Sequence, residues 1–377
     1  MSEVDEVKSV SAPLLMFAHK GNDWIRGSEQ CVLDLLAGLD RTRYRLLVVA
    51  NGRALLRESE RLDVQAIRVA HWGGGLLLDA PYRHAMRGIL RNQRPALIHA
   101  NMAVTLALVM PPSRELGIPV LSHLHAGYDT LGSRHQSLVR EAEMIVGVAE
   151  HVVAPLREDE SMRGRVRVIR NAVNVARLGS VLDGDIRGEL ALPSGAFVAT
   201  SVGSLIARKC HDVTIRALGI ARERGLDLHL LLCGDGDRER DLRGLANSLS
   251  LGEFVHFLGP RRDIGGILGA SDVFVTSAGD EAMPLAVLEA QWVGVPVIAS
   301  DVSAHRELLA ERALAILTPL GNPESLARSI VALSHDPARR TTLGTASYQY
   351  ARREYAMTRY IGEFEALYDE MLASAAR

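Results

Sequence analysis

Two glutamates, Glu281 and Glu289, stand eight positions apart in the stretch GDEAMPLAVLEAQWVGVPVIAS, residues 279–300. Pro284 suits the first position of a helix, where its fixed φ helps and its missing N–H costs nothing, which makes Glu281 a loop residue. Leu285, Leu288 and Trp292 then recur at helical spacing, and a helical Cα–Cβ bond tilts toward the N-terminus, so Glu289 reaches back toward the helix start. Both carboxylates could thus border one small volume. The amides of Met283, Leu285 and Ala286 fall in the first turn, where N–H groups lack partners and the dipole favours an anion. A ligand that is anionic and also carries hydroxyls fits this place. Taken alone, the spacing is better explained by an amphipathic helix with two solvated glutamates, and only its context favours the ligand reading.

Other residues suggest chemistry of the same kind. The apolar run FVATSVGS (197–204) ends in Gly203 and Ser204 and leads into LIARKCHD, in which Arg208 and Lys209 are candidate phosphate donors or else a solvated basic pair. Gly27 and Ser28 open a helix and either turn backbone N–H groups to a phosphate or form an ordinary cap. In PVLSHLHAG, His123 and His125 invite a metal reading. No third ligand stands at a recognisable spacing, so substrate hydrogen bonding by His125, with His123 turned into the sheet or a helix, is the better expectation. CGDGDRER lacks the third glycine of a dinucleotide fingerprint, and a tight turn accounts for Gly234 and Gly236. Arg83, Arg87, Arg91 and Arg94 line a helix that is either solvated or laid on an anionic membrane surface.

The elements that must position these residues follow from patterning. Short apolar runs at 13–19, 44–50, 64–70, 95–100 and 119–125 alternate with helical segments, and a second series runs through 197–204, 228–234, 254–259, 273–278 and 296–300. That alternation predicts two doubly wound α/β modules with parallel sheets. Residues 168–195, polar and glycine-bearing, read as the hinge, giving domains 1–172 and 173–355. In 356–377, Ile361, Phe364, Leu367, Tyr368 and Met371 form one apolar helix face that needs a surface to cover.

The 377 residues are 47% hydrophobic and 23% charged, enough for two cores, and a formal net charge of −2 argues against wholesale nucleic-acid binding. Cys31, Cys210 and Cys233 match no zinc spacing and read as reduced thiols. The first ten residues are too acidic for a signal peptide and no apolar run approaches membrane length, so a soluble, cytoplasmic protein is expected.

In their order, RGSE, VIRNAVN, VGSLIARKCHD, CGDGDRERDL, VHFLGPRRD, the E-x7-E block and the terminal helix make the chain resemble the retaining glycosyltransferases of family 4, with the GT-B fold. The resemblance implies two Rossmann-like domains facing across a cleft, the donor held mainly by the second and the acceptor by the first, and a terminal helix returning to the first. It implies transfer of a sugar from a nucleotide-diphosphate donor, with no cofactor and no metal. Glu289 would take the ribose, Glu281 the donor sugar, and Ala282, Met283, Pro284 and Leu285 the sugar and diphosphate. Lys209, supported by Arg208, would neutralise the leaving group; Gly27 would admit the phosphates, backbone near Arg261 would meet the base, and His125 would lie beside the sugar. The glycines and loops around Ser28, Gly203, Ser204 and Gly234 complete the donor site. Ser204 stands where the family usually has arginine, Cys210 where it has glycine, and Arg26-Gly27 where it has a double glycine. A sugar-nucleotide 2-epimerase and a non-catalytic sugar-nucleotide-binding subunit are the alternatives on this fold. The acceptor is expected to be a glycan, a lipid-linked molecule or a small molecule, with peripheral contact at the inner membrane face as one mode of access.

Overall fold

The computed structural model describes residues 12–21, 23–69, 80–179, 185–309, 314–375 and 377. The chain forms two compact units. The first comprises the described residues up to Gly147, Val152–Ile169 and Ile361–Arg377; the second comprises Val148–His151 and Arg170–Tyr360.

The first unit contains β1 (Leu14–His19), β2 (Arg45–Ala50), β3 (Gln65–Arg68), β4 (Leu97–Asn101), β5 (Val120–Leu124), β6 (Met144–Gly147) and β7 (Val166–Val168). All pair in parallel, in the order β3-β2-β1-β4-β5-β6-β7. Every residue of β1, β4 and β5 is buried, which is why these segments read as continuous apolar runs rather than alternating ones. The second unit contains β8 (Phe197–Val202), β9 (Leu228–Cys233), β10 (Val255–Gly259), β11 (Val273–Thr276), β12 (Val297–Ser300) and β13 (Ala315–Thr318), parallel in the order β10-β9-β8-β11-β12-β13. The two doubly wound Rossmann-like sheets are the fold class expected. Strands β6, β7 and β13, three or four residues long, were not named by the patterning.

In both sheets the order reverses once, between β1 and β4 in the first and between β8 and β11 in the second. In doubly wound sheets the loops leaving strand ends at such a reversal are the usual place for a ligand. Met102, just past β4, has φ 71, a conformation that costs a residue with a Cβ, and its N–H donates to the His123 carbonyl at 2.9 Å.

The expected hinge is not wholly polar and exposed. Asn171, Ala172 and Val173 are buried within the second unit, because the Val173 N–H donates to the Tyr355 carbonyl at 2.9 Å and Arg359 donates to the Arg170 carbonyl at 2.6 Å. Residues 180–184 of that segment lie outside the described residues. The last helix, Met357–Ala375, turns Phe364, Leu367, Tyr368 and Met371 into the core of the first unit.

Candidate functional site

At the reversal point of the second sheet, the loops after β8 and β11 are fastened together. Gly279 N–H donates to the Arg208 carbonyl at 2.8 Å, and an Arg208 guanidinium N–H donates to the Asp280 carbonyl at 2.9 Å. Lys209 Nζ makes an ion pair with Glu281, whose side chain is only 7% exposed, and Arg208 stands 3.3 Å from the other carboxylate oxygen. Two cations therefore share one nearly buried carboxylate. The lysine stem lies over Gly203, whose φ is +153, with Lys209 Cε 3.5 Å from the place a Cβ would take.

Gly234 and Gly236 do more than make a tight turn. A Cβ on Gly234 would stand 2.1 Å from the Gly203 carbonyl oxygen, and one on Gly236 would stand 2.3 Å from that of Leu205. The β9 loop is thus pressed onto the β8 loop and holds its backbone in place. Ser204 accepts a 3.3 Å hydrogen bond from His211 Nε2 through its carbonyl, and burial pushes that histidine down to about 4. Cys210 adopts φ 49, ψ 40 immediately before the helix His211–Glu223. This left-handed conformation is the physical reason a glycine suits the position.

The E-x7-E block differs from expectation in one detail. Pro284 is the cap rather than the first helical residue, with φ −71 and an extended ψ of 113, and the helix runs Leu285–Val293. Its carbonyl accepts from Val287 and Leu288 N–H, leaving the amides of Leu285 and Ala286 ahead of the helical ladder. Met283 is buried and held by Asn171, whose side-chain amide donates to the Met283 carbonyl at 3.2 Å. Glu289, also buried, pairs with Arg177 at 2.5 Å. Each glutamate thus has a basic partner from a different segment, Glu281 from residues 208–209 and Glu289 from the short helix Val175–Leu178. The Arg261 side chain is engaged away from this block, with Glu189 at 2.9 Å and Asp263 at 2.7 Å.

Patterning missed His151 and Glu307, which brace the same loop. Glu307 accepts from the Glu150 and His151 amides and from His151 Nδ1 at 2.7 Å, while His151 Nε2 donates to the Glu281 carbonyl at 3.3 Å. Burial alone would raise Glu307, yet these three donors hold it down to about 2. Asn171 sits in the VIRNAVN segment that the sequence does mark, and Arg177 lies just beyond it; nothing local marks the pairing of residues 151 and 307.

In the first unit, Gly27 and Ser28 open the helix Gly27–Gly38 as expected, with Arg26 as cap and Glu29 reaching back to the Arg26 N–H at 3.1 Å. The reversal point gathers His19, Asn101 and His125. His123 is fully buried, 3.1 Å from His99 through their ring nitrogens and packed on Phe364, whereas His125 is half-buried. Burial, reinforced by neighbouring rings, lowers His99 and His125 to about 3, so both are neutral near pH 7. In the helix Ala80–Gln93, Arg87 pairs with Glu115 at 2.6 Å while Arg91 is exposed.

Residues 25–177 match the family described as Glycosyltransferase Family 4, and residues 183–350 match Glycosyl transferases group 1. The chain carries both glycosyltransferase domains. Over 340 residues it is 28% identical to the lipopolysaccharide core biosynthesis glycosyltransferase LpsE of Rhizobium meliloti, covering 88% of this chain and 92% of that protein. It is 27% identical over 265 residues to an Escherichia coli UDP-Gal:alpha-D-GlcNAc-diphosphoundecaprenol alpha-1,3-galactosyltransferase, covering 66% of this chain and 68% of that one. In three dimensions it resembles Anabaena HepE in complex with UDP and glucose, with TM-score 0.82, 20% identity, and coverage of 95% and 100%. The group 1 domain thus holds Lys209, Arg208, Glu281 and Glu289 around one sheet reversal. The family 4 domain holds Gly27, Ser28 and His125 around the other. No described helix is long and apolar enough to cross a membrane.

Proposed function

We propose that the protein is a retaining, metal-independent glycosyltransferase that moves a sugar from a nucleotide-diphosphate donor to an acceptor hydroxyl. The observation that carries this reading is the gathering of Lys209, Arg208 and Glu281 beside the unladdered amides of Leu285 and Ala286 at the sheet reversal. A departing nucleotide diphosphate accumulates negative charge, and preorganised cations and N–H groups stabilise that charge with little reorganisation. Diphosphate oxygens compete for the cations that now neutralise Glu281, freeing its carboxylate for the donor sugar. Glu289 takes the ribose, and Arg177 yields or shares it. Met283 and Ala282 line the sugar, and Gly203, Ser204 and Gly234 give the backbone around the phosphates. Backbone near Arg261 meets the base. In the family 4 domain, Gly27 and Ser28 serve the donor phosphates and His125 the sugar. The names of the relatives support a glycan or lipid-linked acceptor.

Incubation with a panel of UDP-, GDP- and ADP-sugars, read by mass spectrometry and by NMR of the new anomeric centre, tests the reading. Release of nucleoside diphosphate with a retained α-linked product, undiminished by a chelator, is the expected result. An isomerised nucleotide sugar would indicate 2-epimerisation instead, and binding without turnover a binding subunit. Glu281→Ala should lower kcat more than donor affinity; equal losses would reduce Glu281 to a binding group.

A further inference from the structure

We infer that Glu29, His19 and Asn101 form a directional hydrogen-bond relay that holds His125 as its Nε2–H tautomer, presenting Nδ1 as a lone-pair acceptor for a sugar hydroxyl. The direction follows from one group that can only accept. The Ser28 carbonyl oxygen lies 3.1 Å from the Asn101 side-chain amide, so the nitrogen Nδ2 must face it. That same nitrogen lies 2.9 Å from His19 Nδ1, which must therefore be an unprotonated acceptor. The proton of neutral His19 is then on Nε2, donated to Glu29 Oε1 at 2.9 Å. At the other end, the Asn101 oxygen lies 2.7 Å from His125 Nε2, which must carry a proton to donate. Flipping the amide would set two acceptors face to face at Ser28, and only in that disfavoured arrangement could His19 donate from Nδ1 and His125 accept at Nε2.

The anchor is well built. Glu29 is buried, and burial raises its carboxyl, but His19 together with the Glu29 and Arg26 amides outweighs this and keeps it ionised. Ser28 Oγ adds a further donor at 3.1 Å. The loop closing over the Glu29–His19 bond has no room for a side chain, since a Cβ on Gly21 would lie 2.4 Å from His19 Nε2 and 2.6 Å from Glu29 Oε1. Asn51 pins that glycine from both sides, accepting from its N–H at 3.0 Å and donating to its carbonyl at 2.7 Å. His19 ends β1, Asn101 ends β4 and His125 follows β5, so the relay crosses the sheet reversal where a ligand is expected. His125 Nδ1 has no hydrogen-bond partner among the described residues. Glu29, His19 and Asn101 are positioning residues, and their effect on turnover rests on the transferase reading; the tautomer does not.

The test is long-range proton–nitrogen NMR on protein labelled with 15N-histidine, His125 being assigned by the signal lost in His125→Gln. His19 and His125 should both show the Nε2–H pattern at pH 7. A Nδ1–H tautomer, or a mixture, at His125 in the wild type would overturn the relay whatever the enzyme transfers. Asn101→Leu should leave His125 a tautomer mixture and lower kcat about tenfold to a hundredfold, with donor KM nearly unchanged. Glu29→Gln still accepts from His19 and should keep both the tautomer and most of kcat, which guards against a folding failure of the leucine variant. Wild-type kcat in a well-folded Asn101→Leu would refute the positioning role. Absence of any transfer by the wild type would overturn the transferase reading, while the spectrum still decides the relay.

Discussion

Replacing Arg208 by alanine should separate binding from stability. The Arg208 side chain is 49% exposed, and its link to Glu281 is 3.3 Å long. An exposed pair of this kind contributes roughly 0–1 kcal/mol, so unfolding should move little. Lys209 is only 16% exposed and pairs with a carboxylate that is 7% exposed. Loss of a partner from a fully buried pair costs about 3–5 kcal/mol. Because Arg208 still faces Glu281 and the lysine keeps some solvent, about 1–3 kcal/mol is expected for Lys209→Ala. Donor affinity should behave differently. Ser204 supplies no charge to a phosphate, and Arg208 is the neighbouring cation in the same loop, so each of the two alanine variants should lose about 1.5–3 kcal/mol of nucleoside-diphosphate affinity, roughly 10- to 150-fold. Ser204→Arg should restore part of that loss in the Arg208→Ala background. Titration calorimetry with UDP, GDP and ADP measures the affinities, and urea denaturation measures stability. If Arg208→Ala binds like the wild type, the idea that it replaces the missing arginine is wrong, and Arg26 is the next cation to test.

Glu289→Ala should weaken nucleotide binding by about 1–3 kcal/mol, because ribose hydroxyls lose their acceptor, and unchanged calorimetric affinity would remove that role. His151 is lowered by burial but raised more by Glu307 and the Glu281 carbonyl, so its net shift is upward from 6.5. A raised histidine contributes its full stability below its unfolded value and loses it as pH climbs through the folded one, whereas Glu307 loses its share as pH falls from 4.5 toward about 2. The stability gap between wild type and His151→Gln should therefore shrink above pH 6.5 by up to about 1.4 kcal/mol per pH unit, and a flat gap across pH 6–8.5 would refute the coupling. Cys210→Gly should be neutral or stabilising by up to about 1 kcal/mol, since relief at φ 49 offsets the added freedom of the unfolded glycine, and a loss above about 1 kcal/mol in denaturation would show that the thiol packs usefully.

Much of this was legible before any coordinates. Continuous apolar runs revealed the parallel strands because both faces of such a sheet are covered, and loops at strand ends could be singled out because that is where a doubly wound sheet opens. Gly27 at a helix start, the apolar face of Phe364 and Tyr368, and the basic pair before His211 all follow from local propensity and period. The cap at Pro284 was misplaced by one residue because helix ends depend on which carbonyl takes the first bond. Tertiary structure alone decided the partners. Nothing in the neighbourhood of His151 announces Glu307, nor does Arg177 announce Glu289, because a salt bridge between residues more than a hundred positions apart is set by which helices the fold brings together. His125 stood out by its place at a strand end, but Glu29, His19 and Asn101 are unremarkable one at a time. Their direction as a relay exists only once β1, β4 and β5 lie side by side and a single backbone carbonyl decides which way an amide must turn.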